Sequence, residues 1–166
     1  MQPDDAGSPL FDRCAGKPTG HSRVYPQRER AVMAPRMHHV GFVVTSIAES
    51  ASPLATALSL AWDGVVVHDP LQFAKVTFLT SHFPEASTIE LIEPAGPRSP
   101  VRKFAEAGGG LHHVCYEVDD LKAQLIHSQA SGGTLVRVPL PAKAFNGRKI
   151  AWIATPQRLL IEYLER

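Results

Sequence analysis

The sequence repeats a chemical pattern. His38-His39-Val40 is followed by Ile89-Glu90-Leu91, and His112-His113-Val114 is followed by Ile161-Glu162-Tyr163. His39 precedes Glu90 by 51 residues and His113 precedes Glu162 by 49. A unit of this length carrying the same residue types at the same places marks an internal duplication, and the fold must place the two copies in equivalent settings.

Each copy also carries the same order of elements. In the first, the β-branched run His38 to Thr45 reads as a strand, and Ser46 with Glu49 three residues on forms a capping box that opens a helix. Ser52-Pro53 is expected to restart or kink that helix, with Leu54, Ala57, Leu58 and Ala61 at helical spacing. Three strands follow, over Val65 to His68, Ala74 to Thr80 and Ser87 to Ile92. Pro94 to Pro100 breaks the pattern, Ser99-Pro100 caps a short helix reaching Ala107, and Gly108-Gly109-Gly110 ends it.

The second copy then runs Leu111 to Val118 as a strand and caps a helix at Asp119-Asp120. That helix spans Leu121 to Ala130, with Leu121, Leu125 and Ile126 on one face. Strands over Thr134 to Val138, Arg148 to Ile153 and Leu159 to Leu164 complete it, with a turn-rich Pro139 to Gly147 between the first two. The expected class is α+β: two tandem βαβββ modules pairing into a half-open barrel around a metal site. Module one covers 37–94, a linker helix 95–110 and module two 111–165. Residues 1–36, rich in Pro, Gly and Arg without hydrophobic period, read as a flexible extension.

The chemistry follows from the repeated residues. Consecutive strand residues face opposite sides, so one His of each pair is expected to enter the shared concavity and the other to face away. A twofold relation requires matching positions, either His39 with His113 or His38 with His112. Glu90 and Glu162 sit between apolar neighbours of opposite facing, and a carboxylate aimed into a core is stable when it is paired or binds a cation. Two imidazoles and two carboxylates without thiolate suit divalent Co, Mn, Ni, Zn or Fe.

With 17 Lys and Arg against 16 Asp and Glu, a net charge of +1 gives no electrostatic case for nucleic acid. No apolar run reaches the roughly 20 residues of a membrane span and no secretory leader is evident, so the expected location is cytoplasmic, away from membranes. Cys14 and Cys115 do not form a disulfide framework.

The same residues resemble the vicinal oxygen chelate (glyoxalase/bleomycin resistance/dioxygenase) superfamily over about residues 37 to 165, and within it the methylmalonyl-CoA epimerases. The linker Gly96-Pro97-Arg98-Ser99-Pro100-Val101-Arg102-Lys103-Phe104 and the segment Tyr116 to Leu121 extend the likeness. The resemblance implies His39, Glu90, His113 and Glu162 as metal ligands. It also implies an acyl thioester substrate whose carbonyl the metal polarises as the α-proton leaves, Glu162 and Glu90 as the groups that move the proton, and a homodimer. His38 and His112 are then packing partners on the other face.

Two departures from the family stand out. Where some epimerases of the family place a second carboxylate base, this chain has Val76, and no Asp or Glu occurs between Asp69 and Glu85, which leaves Glu90, Lys75 or water as the second proton carrier. The last turn is Thr155-Pro156-Gln157-Arg158, and Arg158, Arg148 and Lys149 are read as solvated rather than as anion ligands. Glyoxalase I-type conversion of a glutathione hemithioacetal is the neighbouring reaction. A non-catalytic small-molecule binding protein of the same fold is the alternative from another class. An extradiol dioxygenase fits less well, because its usual ligand set has only one Glu.

Overall fold

A computed structural model of the chain describes residues 34–83 and 88–166. The expected extension over residues 1–36 lies outside the described residues except for its last three, as do Glu85 and Ser87. The element order is β1 (Arg36–Val43), α1 (Ile47–Leu58), β2 (Ala61–Trp62), β3 (Val67–Asp69), β4 (Ala74–Thr80), β5 (Thr88–Pro94), α2 (Arg102–Glu106), β6 (Gly110–Val118), α3 (Leu121–Ala130), β7 (Thr134–Pro141), β8 (Lys149–Ala154) and β9 (Leu160–Glu165), with a 3-10 turn over Lys143–Phe145 before β8.

The strands form one nine-stranded sheet in the order β2-β4-β5-β1-β6-β9-β8-β7, with β3 also on β4. β1 and β6 pair antiparallel at the seam between the copies, with Val40 opposite Val114. Each is flanked by the last strand of its own copy, β5 parallel to β1 and β9 parallel to β6. Leu79 and Leu91 pack against Ile47, Ala51 and Ala55 of α1, and Ala151 and Ile153 pack against Leu121 and Leu125 of α3. Strand neighbours of these residues, Glu90 among them, therefore face the concave side.

The sheet does not close by strand pairing. Its open side is bridged by side chains instead: Asp69 Oδ2 accepts from Lys143 N at 2.7 Å, and Arg137 donates to Gln72 Oε1 and to the Leu71 carbonyl, each at 3.1 Å. Asp69 Oδ1 also accepts from the N–H groups of Leu71 and Gln72. One buried carboxylate thus fixes the β3–β4 turn and ties it to the 3-10 turn of the other copy.

Several local expectations change. α1 passes through Pro53 as one helix, capped by Ser46, whose Oγ accepts from Glu49 N at 3.3 Å. Pro53 and the Glu49 carbonyl it leaves without a helical donor both lie on the exposed face, where water replaces the lost bond. Because the helix starts at Ile47, its buried positions are Ile47, Ala51 and Ala55, while Leu54 and Leu58 are exposed and Ala61 begins β2. In α3, Ile126 is likewise exposed, and Gln124 and Ser128 are buried in its place.

The strand expected at Val65 to His68 is replaced by two short pieces, β2 and β3, lying along β4. Between them Thr77 Oγ1 donates to the Val65 carbonyl and accepts from Trp62 Nε1, so a side chain takes over the ladder's work. Ser99 does not cap α2 through its hydroxyl: Val101 is the N-cap, and Ser99 Oγ is buried without a partner. Among the described residues no helix is long and apolar enough to cross a membrane.

Candidate metal and substrate site

The register of four strands assembles the repeated residues. Gly41 of β1 lies beside Glu90 on β5 and opposite His113 on β6, while Cys115 of β6 lies beside Glu162 on β9 and opposite His39 on β1. The two rows are related by the Val40–Val114 pair, so each copy contributes one imidazole and one carboxylate to the same patch of the concave face. All four residues are buried, none more than 5% exposed.

Their polar atoms converge. His39 Nε2 is 3.0 Å from His113 Nε2, 3.3 Å from Glu90 Oε2 and 3.2 Å from Glu162 Oε2. His113 Nε2 is 3.6 Å from Glu90 Oε2 and 3.5 Å from Glu162 Oε2. With metal–nitrogen bonds of about 2.1 Å, adjacent ligands sit about 3.0 Å apart in an octahedron and about 3.4 Å in a tetrahedron, so these spacings fit one shared ion. A second sign is Glu162 Oε2, a buried carboxylate oxygen that lies 3.2 and 3.5 Å from the two imidazole nitrogens. The set therefore fits a divalent cation held by two imidazoles with a carboxylate on either side, from β5 and from β9.

Charge in the metal-free arrangement is shared among these groups. Burial pushes the His39 imidazole down, but Glu90's charge and the hydrogen bonds with Glu162 and Glu90 outweigh it and raise the group to about 9. Burial pushes Glu162 up, and the hydrogen bonds from His113 and His39 outweigh that, holding it well below the usual carboxylate range. Burial and the neighbouring carboxylates raise the Cys115 thiol far above its ordinary value, so it stays protonated.

The outer imidazoles correct the alternation argument. His38 and His112 were expected to face away; instead His38 Nδ1 lies 2.9 Å from His39 Nδ1 and His112 Nδ1 lies 3.1 Å from His113 Nδ1. The β1–β6 register shifts between Met37 and His39 on β1 and between Gly41 and Phe42 opposite His113 and Leu111 on β6. His38 and His112 are the extra residues of these two bulges, and a bulge releases its residue from strict alternation. The copies then diverge. His38 Nε2 lies 4.0 Å from Glu117 Oε1, which also accepts from Arg148 at 2.7 Å, whereas His112 lines a cavity. Burial first, then the His113 charge, lowers His112 to about 4, so its ring is neutral.

That cavity, about 300 Å³, opens above Glu90 and Glu162 and is walled mainly by apolar groups, among them Val76, Ile92, Ala142, Phe145, Ile150 and Trp152. Phe145 stacks on His39 with ring centroids 5.6 Å apart, and Trp152 meets the His113 ring edge-on at 4.7 Å. Arg137 and Gln72 sit at its polar rim. Sequence reasoning missed Arg137, Phe145 and His112: the first two fell in a segment read as strand end and turn, and the only signal for His112 was that both copies double the His.

Lys75 is drawn to Glu93 at 2.7 Å and does not line the cavity, while Val76 does. Arg148, Lys149 and Arg158 are absent from the cavity wall, and Arg148 is engaged with Glu117.

Comparison with known proteins adds the lineage. The family model described as Glyoxalase/Bleomycin resistance protein/Dioxygenase superfamily matches residues 38–152. An ethylmalonyl-CoA/methylmalonyl-CoA epimerase of Cereibacter sphaeroides is 29% identical over 123 residues, 73% of this chain and 89% of the relative. Protein YqjC of Bacillus subtilis is 33% identical over 136 residues, covering 78% and 91%. A crystal structure of methylmalonyl-CoA epimerase from Mycobacterium tuberculosis superposes with a TM-score of 0.67 at 22% identity, covering 78% of this chain and 87% of that one. The chain belongs to the glyoxalase/bleomycin resistance/dioxygenase superfamily, with proteins named methylmalonyl-CoA epimerase among its relatives.

Proposed function

We propose that this protein is a metal-dependent epimerase or isomerase that removes a proton next to a thioester carbonyl, acting on methylmalonyl-CoA or a closely related acyl-CoA. The carrying observation is that the imidazole nitrogens of His39 and His113, 3.0 Å apart, each lie within 3.2–3.6 Å of both carboxylates, and that these carboxylates line an apolar cavity. His39, Glu90, His113 and Glu162 would hold a divalent ion such as Co, Mn, Ni, Zn or Fe. When bound, the ion supplies Lewis-acid stabilisation of the negative charge that develops as the α-proton leaves.

The protein's own groups account for the proton. Glu162, buried beside both imidazole nitrogens at 3.2 and 3.5 Å, is the base. Epimerisation also needs a donor on the opposite face of the planar carbanion. Val76 removes the strand carboxylate from consideration and Glu93 holds Lys75, which leaves Glu90, reaching in from the other side of the imidazole pair. Phe145, Ile150 and Trp152 give the cavity an apolar wall, and an apolar setting strengthens each charged contact beside Glu90 and Glu162.

The dependence on two ligand carboxylates alone also suits glyoxalase I-type isomerisation of a glutathione hemithioacetal, the second reading. The test is to incubate Co-loaded protein with methylmalonyl-CoA in deuterated buffer and follow the α-proton by NMR, with Glu162→Gln as control. Exchange lost in the variant supports the epimerase. Exchange no faster than in metal-free protein rejects it for this substrate, and turnover of a hemithioacetal would then establish the second reading.

A further inference from the structure

The two doubled His pairs are alike at the inner nitrogens and unlike at the outer ones. His39 and His113 meet each other through Nε2 and meet His38 and His112 through Nδ1. His113 Nε2 faces His39 Nε2 at 3.0 Å, where a shared cation would sit, and would accept toward that cation. Its proton is then on Nδ1, which donates to His112 Nδ1, and His112 carries its own proton on Nε2. In the first copy the corresponding Nε2–H is directed at Glu117, 4.0 Å away. In the second, His112 makes no other hydrogen bond among the described residues, and its ring forms part of the cavity wall between Phe104 and Trp152, with centroids at 5.5 and 6.0 Å.

We propose that His112 is a substrate-contacting residue that donates its Nε2–H to an oxygen of the bound ligand, a carboxylate or thioester oxygen seated above Glu90 and Glu162. Its Nδ1 is held 3.1 Å from His113 Nδ1, which leaves Nε2 for the ligand. This deepens the epimerase reading, on which the identity of the oxygen rests. A duplicated motif whose two outer members are placed differently, His38 4.0 Å from Glu117 in an ion-pair network and His112 in the cavity wall, is what specialisation of one copy for ligand contact predicts.

The test uses malonate, a small dicarboxylate, as probe of the Co-loaded full chain, with ring-nitrogen NMR of the metal-free protein. His112→Asn keeps a side-chain acceptor at the Nδ1 position and removes the outer donor; His112→Gln extends an amide donor to the Nε2 position. The expected result is an Nε2-protonated His112, unchanged Co affinity in His112→Asn within about threefold, malonate binding weakened at least about tenfold, and partial recovery in His112→Gln. The opposite tautomer, absence of malonate binding by the unaltered protein, or an unaffected malonate affinity in His112→Asn overturns the proposal. Failure of proton exchange on methylmalonyl-CoA with the malonate effect intact rejects the epimerase reading and upholds the role of His112.

Discussion

Gly41→Ala tests whether the site depends on a missing side chain. A Cβ built at Gly41 falls 2.1 Å from His113 Cε1, 2.4 Å from Nδ1 and 2.7 Å from Nε2. Ordinary contacts between such atoms lie at about 3.5–4.0 Å, so the ring must retreat by roughly 1.5 Å. Trp152 already packs edge-on against the ring with its centroid 4.7 Å away, which limits the space for that retreat. A metal–ligand distance tolerates only about 0.2 Å, so the substitution removes His113 from the ligand set. We expect Co affinity to fall by at least about 100-fold, the upper end of what disturbing a ligand's support produces. Overpacking should cost about 1–3 kcal/mol, a drop of roughly 2–12 °C in melting temperature. The control is Cys115→Ala at the matching position of the second copy, where a side chain already packs beside the His39 row; it should keep Co affinity and lose roughly 1 kcal/mol. Visible absorption during Co titration, with thermal melts of the same samples, reads both effects. Wild-type Co affinity in Gly41→Ala would refute the reasoning.

Three further outcomes are expected. His39 titrates near 6.5 when unfolded and about 9 in the metal-free fold; because the folded value is the higher, its stabilisation, about 3 kcal/mol, is complete below pH 6.5 and lost as pH rises through 9. The melting temperature of metal-free protein should therefore fall across that window, and a flat or rising profile contradicts the assignment. Asp69→Ala strands three backbone N–H groups, those of Leu71, Gln72 and Lys143, and should destabilise by roughly 2–4 kcal/mol in urea titration; a change below about 0.5 kcal/mol would mean that water replaces the carboxylate. Glu162→Gln should retain fold and lose proton exchange, and an active variant would move the base elsewhere.

The duplication made the fold and the four converging residues legible, because repeated residue types at repeated spacing constrain topology and site together. Local periodicity was a weaker guide. Helix faces were misjudged at Leu54, Leu58 and Ile126 because the buried face depends on where a helix starts relative to the sheet, and β2 and β3 replaced one strand because Thr77 and Trp62 supply side-chain bonds that no period encodes. The roles of His38 and His112 were hidden for a different reason. Strict alternation sends them outward, and the bulges that return them exist only in the pairing of β1 with β6, segments 74 residues apart at His39 and His113. The need for glycine at Gly41 is equally non-local, since the ring it accommodates belongs to the other copy.

A twofold site offers two equal faces, yet a substrate with one α-carbon needs unequal ones. Here the inequality is built from positions around the centre of symmetry at Val40–Val114. Gly41 makes room for His113 where Cys115 does not for His39; Glu117 ties His38 while His112 opens on the cavity; and Asp69 and Arg137 brace one rim across the gap in the sheet. None of these differences changes the identity of the four residues that converge on the centre. On the proposed function, the repeat sets the ligand cage and its exceptions the direction of approach, so substitutions at Gly41 should act on metal affinity, whereas those at His112 should act on ligand affinity with the metal retained. Separation of those two effects by measurement would support this division, and their collapse into one would mean that cage and cavity form a single unit.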